Sequence, residues 1–88
     1  MTLKIERMFD GKRTTLRLIG RISSEHLEEL QTQIWNSGME LALDLHEITL
    51  VDVEVVNFLR KCQAEGIELR HCALYIREWM AREQDREG

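Results

Sequence analysis

The sequence predicts an α/β domain built on a mixed four-stranded sheet, and three observations predict it. A period-2 stretch follows an Asp-Gly turn, a nearly continuous apolar run occupies the middle of the chain, and apolar residues recur at helical spacing on either side of that run. Length restricts the architecture further. With 88 residues the chain holds one core, because a second would bury too little apolar surface. Residues 1–88 are therefore read as a single domain with a polar tail at 84–88.

The elements follow in order. Leu3 and Ile5, with Met8 and Phe9 extending the pattern loosely, lead to Asp10-Gly11, a dipeptide that accepts the positive φ of a tight hairpin. Thr14, Leu16 and Leu18, with Gly20 after them, fall on one face of the next strand. Thr15, Arg17 and Ile19 fall on the other, so an antiparallel pair is expected. Ser23 and Ser24 are suitable N-caps, and Glu25, Glu28 and Glu29 place negative charge at the positive end of a helix. Leu27, Leu30, Ile34 and Trp35 are its expected buried stripe, and Gly38, after Asn36 and Ser37, its stop.

Residues 39–45 include Leu41, Ala42, Leu43 and Leu45, the pattern of a strand covered on both faces and central in its sheet. A right-handed crossover then makes the second and third strands parallel, so the sheet is mixed. Residues 46–51 are read as a connection, and Asp52 caps a helix that buries Val55, Val56, Leu59 and Cys62. Arg60 and Lys61 favour its C-terminal end, where Gly66 stops it. A last strand at 67–72 and a closing helix at 75–82, with Ile76, Trp79 and Met80 inward, complete the order β-β-α-β-α-β-α. Residues 84–88 are expected to fray.

Composition removes several function classes. Hydrophobic residues at 43% and charged residues at 32% give an ordinary globular balance, and the interspersed charges sum to −4, leaving no basic stripe for nucleic acid. No apolar run approaches the roughly 20 residues of a membrane span, and the first residues lack a signal peptide's pattern, so a cytoplasmic protein is expected. Cys62 and Cys72 lack metal-site spacing and read as thiols serving as small apolar fillers. His71-Cys72 resembles a base and nucleophile, yet neighbours on a strand point to opposite faces. No acid, base and nucleophile set can be named, and no glycine-rich phosphate loop is present, so neither an enzyme nor a cofactor is expected.

The stretch Leu43-Asp44-Leu45-His46-Glu47-Ile48-Thr49-Leu50-Val51-Asp52 resembles the signature of the STAS family, the sulfate transporter and anti-sigma-factor antagonist domains. Its marks are an Asp-Leu at the end of a strand and a second Asp opening the next helix; Gly66 also stands where the family has a glycine. The resemblance spans about Leu3 to Arg82 and implies the STAS-like fold, with the second helix and the loop before it docking a protein. In regulated members Ser-Ser-Gly follows the second Asp, and the second serine is phosphorylated. Here those positions are Val53, Glu54 and Val55, so the acceptor position holds Glu54, which cannot be phosphorylated. Thr49, Ser23 and Ser24 carry hydroxyls nearby, none at that position.

The expected partner-binding residues are Asp44, Asp52, Val53 and Glu54, with His46, Glu47 and Thr49 at the rim. Glu54 reads either as a solvated first-turn carboxylate, contributing about 0.3 to 1 kcal/mol through the helix dipole, or as a partial mimic of phosphoserine. Asp44, His46, Asp52 and Glu54 have the donor atoms for a divalent metal, against the simpler reading that Asp52 caps a helix, Asp44 bonds loop amides and His46 faces solvent. Trp35, Tyr75, Trp79 and Met80 read as core, with Tyr75 and Trp79 also suited to anchoring a partner or a second copy of the chain. The functional expectation is a regulatory module binding an anti-sigma factor, a kinase-like regulator or a sensory assembly. The alternative is a small-ligand or nucleotide-binding domain that uses the strand-end loops.

Overall fold

In the computed structural model, which describes residues 3–36 and 40–87, the chain first reverses at Asp10-Gly11. Gly11 has φ +93°, strained for any residue with a Cβ, and Asp10 Oδ1 accepts the amides of Arg13 (2.8 Å) and Lys12 (3.0 Å). Those two amides hold the Asp10 carboxyl below its ordinary value. The turn joins β1 (Leu3–Phe9) to β2 (Thr14–Arg21) as an antiparallel pair. A 3-10 turn (Ser24–His26) then leads into α1 (Leu27–Trp35), followed by β3 (Leu41–Leu50), α2 (Val53–Ala64), β4 (Glu68–Arg70) and α3 (Leu74–Glu87).

The sheet order is β1-β2-β3-β4, with β2/β3 and β3/β4 parallel. The α/β class, the mixed sheet and the central place of β3 are as the sequence led us to expect. The order of strands and helices differs from the expected one by a 3-10 turn before α1. Both crossovers advance in one direction across the sheet, and right-handed connections therefore carry α1 and α2 over the same face. Leu16, Leu18, Leu41, Leu43 and Leu45 pack there against Leu30, Val55, Val56, Leu59, Ile76 and Met80 in one buried cluster. On the opposite face Glu6, Arg17, Asp44 and Arg70 are cross-strand partners, a row of alternating charge in which Arg17 lies 3.9 Å from Glu6 and 3.7 Å from Asp44.

Several expectations need correction. The stretch 46–51 is no connection: β3 runs on to Leu50, because β2 continues to Arg21 and keeps pairing with it (Ile19↔Glu47, Gly20↔Ile48, Arg21↔Leu50) through two register shifts. The last strand is shorter than 67–72, since His71 takes φ +57° and leaves the extended region after Arg70. Ser23 and Ser24 do not open an α-helix directly; Ser23 forms a capping box with His26 around the 3-10 turn. Trp35 is 88% exposed, because Leu27, Leu30 and Ile34 already form the inward stripe and the next residue lies about 100° further round the helix. Finally, α3 covers 74–87 rather than 75–82 with a frayed tail, as Ala81, Arg82, Glu83 and Gln84 are strong helix formers whatever their polarity.

Other readings hold. Gly66, at φ +95°, ends α2 while the Ile67 amide reaches back to the Cys62 carbonyl at 3.0 Å. Val55, Val56, Leu59 and Cys62 are the buried side of α2, and Ile76 and Met80 that of α3, with Trp79 partly buried beside them. Tyr75 is exposed. Ser37, Gly38 and Met39, assigned to the helix stop and the strand start, lie outside the described residues, as does Gly88.

Candidate functional site

Asp52 is the structural centre of the expected docking surface. Its extended backbone (φ −111°, ψ 178°) lets Oδ1 accept the Val55 amide at 3.0 Å, the N-cap bond that opens α2. The second oxygen, Oδ2, accepts the Ser24 amide at 3.0 Å and so binds the 3-10 turn before α1. Just below, the Ile22 amide bonds the Leu50 carbonyl at 3.0 Å, tying the ends of β2 and β3. On this braced corner Leu50 is 51% exposed and Val53 42% exposed, with Glu54 exposed in the first turn of α2. Val51 between them is buried and anchors the turn in the core.

A second cluster surrounds Asp44, on the open face of the sheet. Oδ1 accepts the His46 amide at 3.0 Å and lies 3.1 Å from His71 Nδ1, while Oδ2 is 3.7 Å from Arg17 Nε. The first bond spans the register shift at which β3 carries one residue more than β2. Burial pushes the Asp44 carboxyl up. The His46 amide, His71 and Arg17 together outweigh it and leave the group below its ordinary value. The His46 and His71 rings meet edge to face, with centroids 5.6 Å apart.

The structure thus divides the expected site residues. Asp44 and His46 share one cluster; Asp52, Val53 and Glu54 share the other; Glu47 and Thr49 lie exposed on the strand between. From Asp44 to Leu50 the chain is extended, a distance of about 20 Å at the usual strand rise. Asp44 and Asp52 therefore do not converge, and no group of three or more His, Cys, Asp or Glu suited to a metal exists among the described residues. Asp44 bonds a strand amide rather than a loop amide. His71 is exposed and Cys72 half-buried, separated by the left-handed turn at His71 and not by strand alternation. Burial raises both thiols, Cys62 to about 12.

Sequence reasoning did not find Arg17, Leu50 or His71 as members of these clusters. Leu50 was detectable as an apolar residue at the tip of a supposed loop. Arg17 and His71 depend on cross-strand register, which a single sequence does not display. Among the described residues no helix is long and apolar enough to cross a membrane. No family model matches the chain, and no curated protein sequence matches it.

Proposed function

We propose that this protein is a STAS-type, non-catalytic regulatory module that acts in the cytoplasm and docks a protein partner at the β3–α2 corner. The partner class is an anti-sigma factor, a kinase-like regulator or a sensory assembly. One observation carries the reading: Leu50 and Val53 expose apolar side chains on either side of an Asp52 that holds two helix starts rigid. A preformed corner with apolar contacts at its centre and charge at its edge is how protein interfaces are built. The element order and the Asp44 and Asp52 spacing support the family assignment. Glu54, in the first turn of α2, keeps a negative charge at the family's acceptor position and holds the module in one binding state.

The test is affinity capture from the source organism with wild type and with Val53→Asp. Wild type should recover a kinase-like or sigma-regulating protein, and Val53→Asp should lose it with the melting temperature unchanged, since that side chain is exposed. Equal recovery by both proteins would remove the corner as the docking site. Glu54→Ser should change the affinity for the recovered partner far more than it changes stability.

A further inference from the structure

The corner uses only the N-terminal end of α2. Beside its C-terminal half, α3 and β4 enclose a groove of about 990 Å3, the upper part of the size range of sites for small molecules. Its walls segregate charge. The chain has 16 acidic residues and 12 Lys or Arg, yet the described residues that line the groove include Arg60, Lys61 and Arg77 and no carboxylate. Such a cleft concentrates positive potential in a molecule whose overall charge is negative. Leu69 and Met80 supply apolar surface in the same groove.

A third feature belongs to the same place. His71 lines the groove and is held at φ +57°, a conformation unfavourable for a residue with a Cβ, while its Nδ1 is fixed 3.1 Å from Asp44 Oδ1. With Nδ1 held at Asp44, Nε2 is the ring nitrogen left for a ligand, and it donates to an anion when the ring is protonated. We infer that the groove between α2 and α3 binds a small organic anion, a phosphate or carboxylate on an apolar body, through Lys61, Arg77 and the Asp44-anchored His71. Both head groups share the chemistry of a planar or tetrahedral oxyanion that accepts charge-assisted hydrogen bonds.

The full chain should be titrated with phenyl phosphate, benzoate and inorganic phosphate while backbone amide resonances are followed. Phenyl phosphate, benzoate or both should shift the amides of Lys61, His71 and Arg77 saturably, and the tighter of the two identifies the head group. Lys61→Glu with Arg77→Glu should weaken that binding by about tenfold or more, and Lys61→Gln with Arg77→Gln gives a milder pair should the reversal disturb folding. His71→Gly, which relaxes the backbone, should keep the fold and lose affinity. Val53→Asp should leave phenyl phosphate binding intact, so failure of the corner and failure of the groove are distinguishable. Absence of saturable shifts at these amides would overturn the site, as would binding indifferent to the double variants. Inorganic phosphate binding as tightly as phenyl phosphate would overturn the apolar-body requirement.

Discussion

Strand β3 is two different structures laid end to end. Residues 41–45 are all buried; Ala42, Leu43 and Asp44 lie between β2 and β4, and Leu41, Leu43 and Leu45 face the helices. Residues 46–50 pair with β2 alone, because β4 ends at Arg70, and all but the partly buried Ile48 are exposed. The inner half is specified by packing, where every methylene is in contact and volume matters. The outer half is held by backbone hydrogen bonds and a bulge, and most of its side chains face solvent. One strand thus serves as core at one end and as a scaffold for the proposed docking corner at the other.

The sharpest way to break this contrast is to truncate one side chain in each half. Leu43→Ala should cost about 2 to 5 kcal/mol in urea unfolding, while Thr49→Ala should stay within about 0.5 kcal/mol of wild type. Similar losses would mean that the halves are not distinct. Next in size is Asp52→Ala, which removes an N-cap and leaves the Ser24 amide without its acceptor. We expect about 1 to 2 kcal/mol, read from thermal unfolding, with no change in the burial of Leu43.

Asp44 sits at the seam between the halves, and its titration tests that position. The folded carboxyl is held below its ordinary 3.8, so the stabilisation it gives is complete above that value and is lost as pH falls through the lower folded value. Below about pH 4, wild type should therefore lose stability more steeply than Asp44→Asn. The comparison is best made in an Asp10→Asn background, because Asp10 shifts in the same direction. Parallel acid profiles would show that Asp44 is not held by its neighbours. The smallest effect is kinetic. Ellman's reagent should label Cys72, half-buried beside the groove, before Cys62, which lies in the cluster with the inner half of β3 and should react only on unfolding.

The inner half of β3 and the caps of α2 were legible in the sequence because their signals are local. A run of Leu41, Ala42, Leu43 and Leu45 has few alternatives, and an Asp three residues before Val55 is a spacing rule. The outer half was not legible: His46, Glu47 and Thr49 lack a buried face, so no periodicity marks them as a strand, and only the length of β2 reveals it. Trp35 misled for the opposite reason, being apolar at a position where the helix had already filled its inward stripe. The corner was half legible. Asp52, Val53 and Glu54 were found, but the bond from Asp52 to Ser24 joins residues 28 apart and has no signature along the chain. The row that joins Asp44 to Arg17, and the turn that brings His71 to it, are likewise products of register and backbone conformation.

The bond pattern at Asp52 also restricts what heredity can place there. Two amides approach from different elements, and each needs a lone pair within one methylene of the backbone. Asparagine, serine and threonine would each have to meet both donors with a single oxygen, and glutamate sets its pair of oxygens a carbon further out. An aspartate gives each of the two helix starts an oxygen of its own from one side chain, whatever the corner's role.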